Sequence, residues 1–485
     1  MNKFIKQSFF NLTLLYLGVL LGFFNSVYRA KLITAEEIGL IALFLSLGKI
    51  ISIVLLLGSN NAFLKFFPDY QKTAQSRTAF LKKVFFIPLV LFIVFALTFP
   101  LQKNFLENQF DPLFSKYVIF LIPFVLLETI NSFFDMVLRV NFKSNIGTFI
   151  NNTLDKIIHL AILLALLVFK FSFETYFYLY LSIWSLKAIL LVILGLYHYQ
   201  PQLSSNTEWS LSFYKKVLPY SLFMLIAGIN TILLNQLDKI MLGKLANLEE
   251  LGIYSIAVLF AGLLNMIATS TSKVAFPRIS LALKDEDKNE LYKIYKHSSD
   301  IQMYLGGFAL IIFAFTGKIL LGYIGEIFTA GFISLLILAS GQLINLSTGM
   351  NGGLIILSRY YKFNLYSQVI MVALNFTLNY FLIPVYGIKG AALATAISLS
   401  LLNVIKWLFV KVKFHLQPFD HISLKIIAVF ILTYALGYFL KRYIDFSTIP
   451  QVIGFAFIEL VFFLLMSKIF RLYFISLQFL KSNDK

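Results

Sequence analysis

A chain of 485 residues that is 59% hydrophobic and only 13% charged, with mean hydropathy +0.82, cannot hide its apolar side chains in a soluble core. A net charge of +18 would suit nucleic acid, but most of the 41 Lys and Arg gather on one side of successive apolar runs. That is the positive-inside pattern of membrane proteins, and it requires no nucleic-acid partner. With no Cys, disulfides, thiolate metal sites and Cys nucleophiles are excluded.

Apolar runs near the bilayer-spanning length recur from end to end, without the period-2 alternation of a barrel strand. The reading is an all-α membrane protein of 14 transmembrane helices. The first six fall at roughly 9–28, 38–62, 84–101, 117–137, 146–169 and 173–197. The next six fall at roughly 217–236, 251–272, 301–322, 332–356, 363–385 and 388–410, and a final pair at roughly 422–440 and 449–470. No small-residue cleavage site follows the first run, so it is read as an uncleaved span. Both termini then lie on the basic, cytoplasmic side. The domains expected are a six-helix lobe over 1–199, a cytoplasmic linker over 200–216, a second six-helix lobe over 217–413, and appended helices 13 and 14 with a tail over 414–485.

Taken in order, the second span opens on Thr34-Ala35-Glu36-Glu37-Ile38-Gly39, a capping box with two carboxylates at the positive end of the helix dipole. The third span contains Pro88 and is expected to kink near its start and to end before Pro100. The fourth carries Glu128, Asn131, Asp135 and Arg139 in one helical stripe, and the fifth carries Asn151, Asp155 and His159, with Lys156 beside them. The sixth is aromatic, with Tyr176, Tyr180 and Trp184 leading to Lys187. The seventh holds Asn230 and ends near Asp238-Lys239.

The eighth span repeats the box as Asn247-Leu248-Glu249-Glu250-Leu251-Gly252. Each box follows a basic residue, Arg29 or Lys239, and each helix it opens leads to a Lys and a Phe-Pro, at Lys65–Pro68 and Lys273–Pro277. Matching contexts imply an internal duplication. Because six helices is an even number, the two lobes share orientation as a parallel repeat. The longest charged loop is expected at 273–300. The tenth span has Asn345 and then Gly349, Gly352 and Gly353, where close packing or a break is expected. Asn375 and Asn379 share a face of the eleventh, and Glu459 sits on the last.

Three stretches together resemble the polysaccharide-transporter (O-antigen flippase) family of the multidrug/oligosaccharidyl-lipid/polysaccharide (MOP) exporter superfamily. They are Arg29–Pro68 around the first box, Leu218–Pro277 with Leu237-Asp238-Lys239-Ile240-Met241-Leu242-Gly243 and the second box, and Asn375–Thr395 with Tyr386-Gly387-Ile388-Lys389-Gly390-Ala391-Ala392. The resemblance implies a flippase of the bacterial inner membrane working by alternating access. Its cargo would be an undecaprenyl-diphosphate-linked oligosaccharide moved to the outer leaflet for surface polysaccharide synthesis. Partners implied are that lipid-linked oligosaccharide, membrane lipids and glycan polymerase or export machinery, with a working monomer expected.

A charge at mid-membrane costs about 2.5–3.5 kcal/mol on insertion scales, so it faces a cavity or a partner. A diphosphate needs cations and sugars need amides, so Lys49, Lys156, Lys187, Arg29, Asn230, Asn345 and Asn375 are the substrate-binding candidates. Glu128, Asp155 and Asp135 are candidates for proton or sodium coupling, with no other cofactor and no metal expected. The competing account is mutual pairing, Asp155 with His159 and Asp135 with Arg139 at i, i+4. Arg29 and Lys239 also suit simple snorkelling to the interface. No phosphate loop, His-Glu-x-x-His or Gly-x-Ser-x-Gly is present, the five His are scattered, and every outside loop is short, so no enzyme is expected. A membrane polymerase or ligase would carry a large outer loop. A drug-cation exporter of the same superfamily is the nearer rival, and the intramembrane Lys favour an anionic cargo over it.

Overall fold

The computed structural model describes residues 3–202, 209–443 and 448–472, which are almost wholly helical and contain no strand. The middle of the expected linker and the C-terminal tail lie outside the described residues. The helices are α1 (Lys3–Leu32), α2 (Ala35–Leu56), α3 (Ser59–Tyr70), α4 (Ala74–Gln109), α5 (Pro112–Tyr117), α6 (Leu121–Val140), α7 (Ser144–Thr148), α8 (Asp155–Phe169) and α9 (Phe173–Tyr199). They continue as α10 (Leu211–Leu245), α11 (Leu248–Lys284), α12 (Lys288–Ile324), α13 (Phe332–Ser347), α14 (Asn351–Leu357), α15 (Tyr361–Tyr386), α16 (Ile388–Phe414), α17 (His421–Tyr443) and α18 (Ile449–Ile469). Among the described residues 13 helical segments are long and apolar enough to cross a membrane, and α1, the expected first span, precedes them. The chain is an all-α, multi-pass membrane protein.

It forms two compact units, residues 1–252 and 253–485. In the first, α6 packs on α9 and α2 lies against both α6 and α10. Phe63, Phe80, Phe133 and Tyr199 meet at the centre of its core, with Phe63 stacked on Phe80 at 5.0 Å. α1 is stitched to the α7–α8 stretch. Thr153 Oγ1 donates to the Leu14 carbonyl at 3.0 Å, and Asn25 Nδ2 donates to the Lys156 carbonyl at 2.7 Å. In the second unit α13 packs between α12 and α16, and α17 leans on α12 and α18.

Both boxes start helices. Thr34 Oγ1 accepts from the Glu37 amide at 3.2 Å and Glu37 returns a carboxylate to the Thr34 amide at 2.8 Å. Asn247 Oδ1 accepts from the Glu250 amide at 2.8 Å. The glycine that closes each box does something the sequence reading did not foresee. A Cβ on Gly39 would run into the Leu248 carbonyl, and one on Gly252 would run into the Ala35 carbonyl. The starts of α2 and α11 therefore touch backbone to backbone, as small residues permit. Gly39→Ala should lower stability by about 1–3 kcal/mol through overpacking. Thermal unfolding of the purified protein checks this, and an unchanged midpoint would mean that the crossing relaxes freely.

Three expectations need correction or sharpening. α4 does not stop before Pro100 but runs through Pro88 and Pro100 to Gln109. Proline removes one hydrogen bond, whereas ending a helix in lipid strands several carbonyls, so continuation costs less. The charged loop of 273–300 is instead a helical hairpin, α11 and α12 joined by a turn at 285–287. Beneath its charges runs an apolar stripe: Ala275, Ile279 and Ala282 pack with Leu291, Ile294 and Tyr295. The Asp287 side chain caps α12 by accepting from the Glu290 amide at 2.9 Å, and Arg278 pairs with Glu290. The tenth span does break, between α13 and α14, where Gly349 takes a left-handed φ of 60° with Ser299 pressed against it.

Candidate functional site

The polar stripes of the fourth and fifth spans converge. In the first unit, α2, α6, α8 and α9 enclose a cavity of about 400 Å³. Lys49 enters it from α2, Glu128, Asn131 and Asp135 from α6, and Asp155, Lys156 and His159 from α8. Tyr180, Trp184 and Lys187 close it from α9. Just before Asp155 the chain makes a π-helical turn, Phe149–Leu154, an irregularity that often accompanies functional positions. From it Asn151 Nδ2 donates to Asp135 Oδ1 at 3.3 Å.

Asp155 is the hub. Its Oδ2 lies 3.2 Å from Lys156 Nζ and 3.5 Å from Lys187 Nζ, while its Oδ1 is buried with no hydrogen-bond partner. The Lys187 side chain is only 6% exposed, and its ammonium stands 4.1 Å over the Trp184 ring, a cation–π contact that supplements the ion pair. The expected Asp155–His159 pair is not formed. His159 Nε2 instead meets the Tyr176 hydroxyl at 2.8 Å, because the ring turns toward α9 while the carboxylate is held by two ammonium groups. The expected Asp135–Arg139 pair is formed, at 2.7 Å. Lys49 and Glu128, on facing helices, have no ion-pair partner within 4.0 Å among the described residues, though each feels the other's charge. Both amide atoms of Asn131 are buried without a hydrogen bond. The cavity thus combines three ammonium groups, three carboxylates and an amide that is free to bind.

The remaining candidates lie elsewhere. Arg29, in the last turn of α1, interacts with Tyr176 and Tyr180. Asn230 is buried on α10 with its Nδ2 unpartnered, outside the cavity lining. In the second unit Asn345 Nδ2 donates to Gln342 at 3.4 Å. Asn375 Nδ2 donates to Thr395 Oγ1 at 3.4 Å, and Asn375 also accepts from Asn379 at 2.9 Å. Lys239 Nζ meets Gln236 Oε1 at 3.4 Å, the same oxygen that accepts from Ser46 at 2.8 Å. Glu459, on α18, is fully buried against Gly437 of α17, beside Phe315, with neither oxygen hydrogen-bonded.

Sequence reasoning left Asn131, Asn151, Tyr180 and Trp184 out of the site, although the helical stripes that carry Glu128 and Asp155 also carry the two amides. It missed a buried network in the second unit altogether. There Lys296 Nζ meets Asp300 at 2.5 Å and Asp420 at 2.8 Å. The signal available was the i, i+4 spacing of Lys296 and Asp300 inside the stretch read as a loop.

A polar, charge-bearing cavity thus lies inside an apolar, multi-pass helical bundle. The chain belongs to the polysaccharide biosynthesis protein family, whose profile matches residues 4–282, more than half of its length. It is similar to the capsular polysaccharide biosynthesis protein CapF of Staphylococcus aureus, 29% identical over 182 residues, which is 37% of this chain and 45% of that protein. It is likewise similar to the probable flippase AglR of Haloferax volcanii, 28% identical over 178 residues, 35% of this chain and 36% of that protein. The chain therefore matches less than half the length of these relatives. Its fold is like that of the lipid II flippase MurJ in an inward closed conformation, with TM-score 0.71 at 14% identity over 95% of this chain and 98% of that one. It is also like an inward-facing multidrug resistance MATE transporter of the MOP superfamily, with TM-score 0.64 at 12% identity over 84% and 98%. The family that the three sequence stretches pointed to is the one found.

Proposed function

We propose that the protein is a flippase for an undecaprenyl-diphosphate-linked oligosaccharide, carrying it from the cytoplasmic to the outer leaflet of the bacterial inner membrane by alternating access. The single observation behind this reading is the first-unit cavity, where Lys49, Lys156 and Lys187 stand with Asn131 and Ser132 inside an otherwise apolar bundle. Ammonium groups suit a diphosphate, and amides and hydroxyls suit sugars. At about 400 Å³ the cavity suits the charged head of such a cargo, with the lipid tail left in the membrane. Lys49, which has no ion-pair partner within 4.0 Å among the described residues, is assigned the first contact with the diphosphate. Lys187 and Lys156 are assigned the second, after release from Asp155. Both termini are placed in the cytoplasm, the working unit is a monomer, and no catalytic step is assigned. Glu128 is the carboxylate assigned to proton or sodium coupling, being the cavity acid without an ion-pair partner within 4.0 Å among the described residues. Residues 1–199 and 217–413 are assigned to the repeated lobes.

The test is reconstitution of the purified protein in liposomes with a labelled lipid-linked oligosaccharide. Leaflet exchange well above that of empty liposomes is expected, and Lys49→Ala should slow it about ten-fold or more while insertion is unchanged. Exchange at the empty-liposome rate under both proton and sodium gradients would sink the reading. A drug-cation exporter is the second reading, favoured by the three carboxylates in the same cavity. Export of a lipophilic cation that Glu128→Gln abolishes, with no lipid exchange, would select it.

A further inference from the structure

A second cavity, of about 630 Å³, lies wholly within residues 253–485 and takes no part in the transport reading. It opens where the α11–α12 turn, the α14–α15 joint and the end of α16 come together. Its rim carries Lys284, Lys288, Arg359 and Lys413 against one carboxylate, Glu286. None of the four cations has an ion-pair partner within 4.0 Å among the described residues. Of the nearby acids, Glu290 is engaged with Arg278 and Asp287 in capping α12, while Asp285 is exposed in the same turn and outside the cavity lining. Two helix starts and three helix ends border the opening, so their dipoles mostly offset, with a small negative excess that four cationic side chains outweigh. A concavity lined by one sign of charge focuses its field on a counter-ion.

The site is also shaped. Arg359 Nη2 donates to the Tyr360 hydroxyl at 2.9 Å and its guanidinium lies 5.0 Å from that ring. Tyr360 in turn packs edge-on against Phe409 and Phe414. The guanidinium is therefore presented rather than trailing in solvent. Behind the cations the walls are apolar: Leu291 and Leu416 are buried, and Leu357 and Phe414 lead outward. A free inorganic anion would use the rim alone, whereas a lipid phosphate would use rim and wall together. Cationic pockets between helices at the cytoplasmic interface suit acidic headgroups.

The geometry points to a binding site for a phosphate-bearing anionic headgroup, supplied by a lipid of the surrounding leaflet. The phosphate sits among Arg359, Lys413, Lys284 and Lys288, and the lipid chain leaves past Leu357 and Phe414. The site is separate from the first-unit cavity and stands whatever that cavity carries.

The test is native mass spectrometry of the full-length protein released from detergent with phosphatidylglycerol, with phosphatidylcholine as the neutral control. Wild type should retain phosphatidylglycerol in preference to phosphatidylcholine. Arg359→Gln/Lys413→Gln should lose at least about ten-fold in apparent affinity, two charge-assisted contacts having gone. Lys284→Gln/Lys288→Gln, on the opposite rim, should do the same. All four side chains are exposed, so both variants should keep the wild-type thermal midpoint. Inorganic diphosphate separates the sources. Protection by diphosphate without lipid retention assigns the site to a free phosphate compound and overturns the lipid assignment. Retention of phosphatidylglycerol that diphosphate displaces poorly supports it. Equal retention by wild type and both variants, or equal retention of the two lipids, overturns the site.

Discussion

Lys296→Met should reduce the free energy of unfolding by about 3–5 kcal/mol, the penalty typical of removing one partner from a buried ion pair. Lys296 is 5% exposed, and its ammonium holds Asp300 on its own helix and Asp420 in the turn before α17, with Ser423 Oγ at 3.5 Å. Without it two carboxylates face each other in a poorly hydrated site. Thermal unfolding of the purified variant measures the loss. Lys296→Met/Asp300→Leu should recover much of it, since an apolar pair of similar volume avoids the stranded charge. A variant as stable as wild type would mean that water reaches the site. The same network predicts an acid limit. Burial alone would raise the Asp420 carboxyl, but the Lys296 hydrogen bond and charge, with the Ser423 and Ile422 amides, outweigh it and hold it below the ordinary carboxylate value. Its contribution is thus complete above about pH 4 and is lost as pH falls from there through the folded-state value. In Lys296→Met the main opposition to burial is gone, the Asp420 carboxyl moves up, and this acid loss should vanish or reverse, with stability rising as pH falls.

Lys187→Ala should lower both stability and transport, and a second substitution separates the two. The ammonium lies between Asp155 and the Trp184 ring, so its removal leaves Asp155 with Lys156 alone and exposes a nearly buried carboxylate to an apolar wall. A loss of about 2–3 kcal/mol is expected, less than for an unpaired charge because Lys156 remains. Lys187→Ala/Asp155→Asn should restore the thermal midpoint, as the stranded charge is gone. Transport of lipid-linked oligosaccharide in liposomes should nevertheless stay at least about ten-fold down, because the cation itself is missing. If the double variant transports at the wild-type rate, Asp155 and Lys187 form a structural pair and the cargo is held by other groups. Stability and transport recovering together would give that result, so the cycle discriminates where the single alanine does not.

The sequence carried more of the site than of its wiring. Glu128, Asn131 and Asp135 were legible as one face because helical spacing puts them there. The cost of charge in lipid then required that face to look inward, and it does. Which acid meets which base was not legible, because Asp155 and Lys187 are on different helices and no local spacing relates them. His159 illustrates the difference: i, i+4 spacing offered Asp155, and a tyrosine from the next helix took it. The π-helical turn at Phe149–Leu154 leaves no compositional mark. The hairpin of α11 and α12 was misread because charge density stood in for structure, while the apolar stripe of Ala275, Ile279 and Ala282 was already present beneath it. Proline at 100 misled for the complementary reason, since in lipid the helix has nowhere cheaper to end.

The contact of Gly39 with the Leu248 carbonyl and of Gly252 with the Ala35 carbonyl is reciprocal: each glycine rests on the residue four places before the other. That is the rule of an isologous interface, in which patch and counter-patch are the same surface. The chain makes within itself the kind of contact that two identical molecules make across a two-fold axis. The intervening residues supply a high local concentration of one patch for the other. Gly39→Ala and Gly252→Ala should therefore be equivalent lesions, and together strongly non-additive, because either one already forces the same pair of backbones apart.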